Sequence, residues 1–473
     1  MSPARPNPIK DLVVIAAMNV AASIGKMLVL GVAVGVAWLL DSWVPLLIGL
    51  VVLGVGYGVL RIVANQFGAL PIDQEYEPAL ARLVDEAVAQ QQFPHRLVLR
   101  VVPEPDCSIR HQRVGLRHSF VLDIGWPMLD LMSSDEVRAV VTHELAHVGD
   151  LGSWRARARV AARNRLLEST ITLPVITEAL LRASSDNCVT SEFAADAVAA
   201  DSVGAEIAAS ALLRTAVIDE IFSTLVEHWC EVMAGVDEYP VDLFESVRAA
   251  IDDPEVAAWL SRNASKEPEI DARDSHPTVR DRVSRLGVSP TMTRISGSSV
   301  SFRHADEIAT WCLQTAFDPE DNDLRPASVL NSPLGRFDFV PDEALAELKA
   351  ATESPDARAA LEAAADHIEA GTWREFTHRL DESLDEAPAA VMSDAELATM
   401  VNCVGTGLIV PLVNAGWRRA HRWLNQILEA PDGQLANVFE VVEDAVVSGS
   451  TGRLRSVIGS AELGGVPAVP TAR

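Results

Sequence analysis

Two strongly apolar runs, residues 21–40 and 44–63, constrain the fold of this chain more than any other feature. About 20 residues at about 1.5 Å per residue cover the roughly 30 Å hydrocarbon core of a bilayer. In lipid every backbone polar group must be satisfied internally, so a lone apolar segment spans as a helix. Only Asp41, Ser42 and Trp43 separate the runs, which predicts an antiparallel transmembrane hairpin with Trp43 at an interface. Lys26, near one end of the first span, can snorkel to the headgroups. Residues 11–20 either continue the first helix or lie along the surface. A cleaved signal peptide is disfavoured by the second run and by the missing A-x-A-like site. Gly31-x-x-x-Gly35 and Gly54-x-x-x-Gly58 offer small faces through which the two helices can touch. Arg5 and Lys10 precede the hairpin, Arg61 and Arg82 follow it, and the turn carries only Asp41. The positive-inside rule therefore predicts a multi-pass protein of the cell membrane with two spans and its body in the cytoplasm.

The remaining length, within 473 residues, suggests two or three domains. A net charge of −27, from 39 basic and 66 acidic residues, argues against nucleic acid as a partner. The five cysteines, Cys107, Cys188, Cys230, Cys312 and Cys403, are scattered and form no C-x-x-C pair. They are read as ordinary thiols in a reducing compartment.

Beyond the hairpin, residues 77–91 read as an amphipathic helix and 95–102 as a strand ended by Pro103. A polar loop over 104–115 is expected next, then a strand at 119–124 broken by Gly125-Trp126-Pro127. Within that strand, 120–124 is expected to form a sheet edge that accepts an extended peptide. Ser133 and Glu136 have capping-box spacing, which starts a helix. Val137, Val140, Val141, Leu145 and Val148 give it a buried stripe, and Gly149 offers a stop. On the other side lie His143 and His147, in the sequence His143-Glu144-Leu145-Ala146-His147. Two imidazoles at i and i+4 stand one above the other and can share one Zn²⁺, while Glu144 is placed to act as general base.

A zinc site needs a third protein ligand. Forty-five residues past His147, Glu192 and Asp196 sit at i and i+4 in an alanine-rich helix, so their carboxylates point the same way. Glu192 can ligate the metal, and Asp196 can accept a hydrogen bond from a ligand imidazole and fix its tautomer. Farther on, Ser275-His276-Pro277 marks a turn into a helix that carries Arg282. His276 and Arg282 there could donate to an oxyanion developing on a carbonyl.

These three segments, in this order, resemble the HtpX and CAAX prenyl protease family of membrane zinc metallopeptidases. The likeness covers roughly residues 12–287. It implies one Zn²⁺ per chain held by His143, His147 and Glu192, with Glu144 as the catalytic glutamate. It further implies that His276 contacts the substrate carbonyl, that Arg282 organises the site and that Asp196 orients a metal ligand. Two features depart from the family: no further spans separate the zinc helix from the glutamate helix, and the usual asparagine-alanine edge segment is not evident.

The expected fold is mainly α with a small β-sheet (α+β). Residues 1–70 would carry the membrane hairpin, 71–287 a zincin-type metallopeptidase domain and 288–303 a Ser/Thr/Pro/Gly-rich linker. An acidic helical domain would occupy 304–448, with helices near 341–351, 357–370 and 394–401, and a flexible tail 449–473. The uncharged stretch 398–417 is read as a buried helix pair or turn in preference to a third span. The leading expectation is a membrane-tethered zinc endopeptidase acting on polypeptide substrates, with membrane protein quality control as its setting and the lipid bilayer as a partner. The alternative is a non-catalytic membrane scaffold acting through its acidic C-terminal domain.

Overall fold

The computed structural model describes residues 8–40, 68–114, 117–150, 174–263, 277–288, 298–334, 343–381 and 392–461, with isolated positions 42, 44, 158, 162, 163, 165, 166 and 384. The protein is mainly helical with small sheets. By backbone contact it divides into two units, Met1–Ser223 with Ile270–Asn322 and Thr224–Glu269 with Asp323–Arg473.

In the first unit, helix α1 (Pro8–Leu39) is continuous, so residues 11–20 extend the first apolar run rather than lying apart from it. Ile15, Met18, Ala21 and Ala22 bury one face of its first half against Ala162, Leu166 and Leu181. Asn19 also accepts from Arg165 at 2.8 Å. The second half carries exposed apolar side chains, among them Met27, Val32, Trp38 and Leu39. The second expected span, 44–63, lies outside the described residues apart from Val44.

A four-stranded sheet follows, built from β1 (Leu70–Ile72), β2 (Leu97–Val102), β3 (Cys107–Val114) and β4 (Arg117–Gly125). Helix α2 (Pro78–Gln90) connects the first two strands and buries Leu80, Leu83, Val84 and Ala87, the expected face. Spatial order is β1-β2-β4-β3; β2 and β4 are parallel, and the other pairs are antiparallel. Two sequence expectations fail here. The polar segment 104–115 is mostly strand β3, because its polar residues lie on an edge that water can solvate. Strand β4 is interior: Phe120 faces Leu97 on one side and His111 on the other, so 120–124 has no free edge for a peptide.

Gly125 ends β4 and donates to the Asp106 carbonyl at 2.7 Å. Any Cβ there would collide with the Glu104 carbonyl oxygen and lie 2.9 Å from the Asp106 nitrogen. Glycine thus lets the 104–106 backbone press against the sheet end.

Helix α3 (Trp126–Leu131) leads into α4 (Ser134–Asp150), the central helix of the unit. The capping box forms: Glu136 Oε2 accepts from the Ser133 nitrogen at 2.8 Å, and the Glu136 nitrogen donates to Ser133 Oγ at 3.3 Å. Gly149 does not stop the helix, which runs to Asp150. Glu136 Oε1 also accepts from Ser210 at 2.7 Å and lies 3.3 Å from Arg214 Nε, tying α4 to helix α6 (Ala205–Leu225). Helix α5 (Pro174–Val203) packs along α4, and the short helix α7 (Val279–Arg285) packs on α5. Part of the expected linker is ordered: Ser299 bridges to Ser133, and Ser298 accepts from the Ser134 nitrogen. Helix α8 (Ala305–Phe317) closes the unit, its start held by buried Glu77, which accepts from the Arg303 and His304 nitrogens.

The second unit has its own core. Met392–Asn414 is a core helix, with Met400, Val404, Leu408 and Leu412 fully buried. Among the described residues this is the one helix long and apolar enough to cross a membrane, and its burial explains its composition. Glu343–Thr352, Ala357–Glu369 and Val438–Ser448 pack around it. Gly452–Ser460, expected as tail, is a helix that inserts Leu454 and Ile458 into the same core. Residues 462–473 lie outside the described residues.

Candidate metal centre

Helix α4 presents its two histidines as the i, i+4 spacing requires, because Val137, Val141, Leu145 and Val148 fix its opposite face in the core. His143 Nε2 and His147 Nε2 are 3.0 Å apart. Glu192, from α5, places Oε2 3.4 Å from His143 Nε2 and Oε1 3.3 Å from His147 Nε2. These three side chains therefore converge on one point. Tetrahedral zinc with ligands at about 2.0–2.1 Å has ligand–ligand edges of about 3.3 Å, so spacing and donor set both fit a dication. Glu144 lies beside them: His143, Glu144 and His147 each offer a ligand atom within a 4.8 Å cluster.

Asp196 lies one turn beyond Glu192. Its Oδ1 is 3.0 Å from His143 Nδ1, and it accepts from Arg282 Nη2 at 2.6 Å and, through Oδ2, from Arg282 Nε at 2.9 Å. Arg282 Nη2 is also 3.4 Å from Glu192 Oε2. Arg282 arrives on α7, whose first turn is capped by Thr278 accepting from the Asp281 nitrogen. His276 lies outside the described residues. The fold brings His143, Glu144, His147, Glu192, Asp196 and Arg282, the described residues expected at the site, to one locus.

The electrostatics are those of an anionic pocket. Burial disfavours the His143 cation, yet hydrogen bonds to Asp196 and Glu192 outweigh it and lift the imidazole to about 9. A dication would satisfy the same field. Burial works against the Asp196 carboxylate, but Arg282 and His143 hold it below its ordinary range. Arg282 is raised above its ordinary value because Asp196 overcomes the cost of burial. Glu144 is raised by burial and by nearby Glu192 and Asp106, against the pull of the two imidazoles.

Glu144 and His143 open onto a cavity of about 530 Å³ bounded by α4, α6 and the 104–107 segment. The cavity residues Asp106, Cys107 and Asp219 were not singled out from sequence. A loop carboxylate, a lone thiol and an exposed helical aspartate carry no spacing signal; only the folded chain brings them together. No protein-family model matches this chain, and neither do curated proteins or solved structures.

Proposed function

We propose that this chain is a membrane-tethered zinc-dependent endopeptidase of the HtpX and CAAX prenyl protease type. The observation that carries the reading is the convergence of His143, His147 and Glu192 within 3.0–3.4 Å of one another, with Glu144 facing the adjoining cavity. These three residues would hold the ion. A zinc ion bound there supplies Lewis acidity, acidifying water and polarising a carbonyl. Glu144 takes the proton of the attacking water on its carboxylate and passes it to the leaving amine. Its raised pKa suits it to both directions of transfer. Asp196 holds His143 through Nδ1, and Arg282 holds Asp196, so the ligand's orientation is fixed before substrate arrives. His276 would donate to the developing oxyanion.

The tether rests on α1 and on residues 44–63. The 32 residues of α1 span about 48 Å, and the roughly 24 Å beyond its docked half is shorter than the roughly 30 Å hydrocarbon core. The half docked through Ile15 and Met18 stays with the body, and the half bearing exposed Val32, Trp38 and Leu39 enters lipid. Membrane protein quality control suits a peptidase held in this way. Casein cleavage by the detergent-solubilised protein, compared with Glu144→Gln, tests the reaction. The wild type should cleave and the variant, still zinc-loaded, should not; equal activity would defeat the mechanism.

A further inference from the structure

The cavity beside Glu144 carries an inference about substrate class, resting on the peptidase reading above. Two helices wall it with small or aliphatic side chains: Ala139 and Val140 from α4, and Ala208 and Ala211 from α6. That wall is apolar and can pack against an extended aliphatic chain. Its rim is acidic. Asp106 and Asp219 line the cavity and are exposed to solvent. Partial burial and then the charge of Asp106 push Asp219 upward, so the two carboxylates lie within each other's field. Arg282 is the one arginine or lysine among the described lining residues, and Asp196 already holds it at 2.6 and 2.9 Å. The Glu144 carboxylate faces the same space and makes no hydrogen bond or ion pair among the described residues. The cavity therefore joins an apolar wall to the Asp106 and Asp219 carboxylates, which no lining cation pairs among the described residues.

We infer that this cavity selects a basic residue, lysine or arginine, beside the scissile bond. The aliphatic stem lies along the alanine and valine wall, and the cationic head reaches Asp106 and Asp219. Gly125 contributes by letting the 104–106 backbone sit close to the sheet end, which holds Asp106 at the rim.

Two matched peptides test this, identical except for lysine or norleucine at one position flanking the cleaved bond. The position is set first by mapping the products of a randomised peptide library. Cleavage is measured with the zinc-loaded wild type, and binding is measured by fluorescence anisotropy on Glu144→Gln. Both readouts should favour the lysine peptide by about tenfold, since two partly exposed carboxylates contribute modestly each. Asp106→Asn combined with Asp219→Asn should bring that ratio down to about twofold or less. A preference for neutral or acidic residues, equal binding of the two peptides, or a lysine preference that survives both substitutions would overturn the inference. If the library yields no product, otherwise identical peptides centred on lysine or norleucine are compared by binding alone; a ratio that behaves as expected then leaves the cavity's preference standing while the peptidase reading fails.

Discussion

Replacing Asp196 with alanine should weaken both the fold of the first unit and its hold on zinc. The Asp196 and Arg282 side chains are only 3% and 11% exposed, and two charge-assisted hydrogen bonds join them. Removing one member of such a buried pair costs about 3–5 kcal/mol, mostly because the other charge is stranded. Glu192 Oε2, 3.4 Å from Arg282 Nη2, would retain part of the attraction. The expected loss is therefore about 2–4 kcal/mol. His143 would also lose the acceptor at Nδ1 that fixes its tautomer. Loss of such an orienting partner typically weakens metal affinity about 10–100-fold. Urea unfolding of the zinc-free detergent-solubilised protein at neutral pH reads the first effect, and competitive zinc titration reads the second. A stability change below about 0.5 kcal/mol, the scale of an exposed pair, with unchanged zinc affinity would refute the argument that Asp196 supports the site through both Arg282 and His143.

Three further outcomes are expected. Gly125→Ala should cost several kcal/mol, on the order of an overpacked core change, because the new methyl meets the Glu104 carbonyl oxygen; a thermal midpoint within a degree or two of wild type would contradict the contact. Glu136→Ala should cost about 3 kcal/mol, since its carboxylate joins Ser133, Ser210 and Arg214 while almost fully buried; chemical denaturation measures it, and a near-neutral result would show that α6 is held otherwise. In the second unit, burial and then the Arg419 cation pull His228 down to about 3. The unfolded chain therefore takes up that proton first as pH falls. The stabilisation is whole above the unfolded value of about 6.5 and is lost progressively toward pH 3, at about 1.4 kcal/mol per pH unit. Wild type should lose stability between pH 6.5 and 5 more steeply than His228→Gln; parallel curves would refute the assignment.

What was legible in the sequence follows from how local the physics is. Helix α4 is set by its own capping box and valine stripe, so Ser133, Glu136, His143 and His147 lie where their spacing puts them. Glu192 and Asp196 were legible for the same reason, as one turn of an alanine-rich helix. Strand β3 was not, because an edge strand with one solvated side reads like a polar loop. The interior position of β4 depends on that missed strand, so the expected docking edge moved with it. Val140, expected in the core stripe, is half-buried and lines the cavity with Ala208 and Ala211 of α6, a placement periodicity does not encode. Gly452–Ser460 was hidden by its glycines and serines; Leu454 and Ile458 anchor it through contacts distant in sequence. Ser210, Arg214, Asp106 and Asp219 reach the site or its supports only through tertiary packing.

The most direct test is zinc content, measured by elemental analysis on purified wild type and on single variants of His143, His147, Glu192 and Glu144. Three convergent ligands from two helices predict about one zinc per wild-type chain, none in His143→Ala, His147→Ala or Glu192→Ala, and retention in Glu144→Gln. A wild type that binds no zinc, or a Glu192→Ala protein that keeps its full complement, would contradict the centre described by the 3.0–3.4 Å spacings.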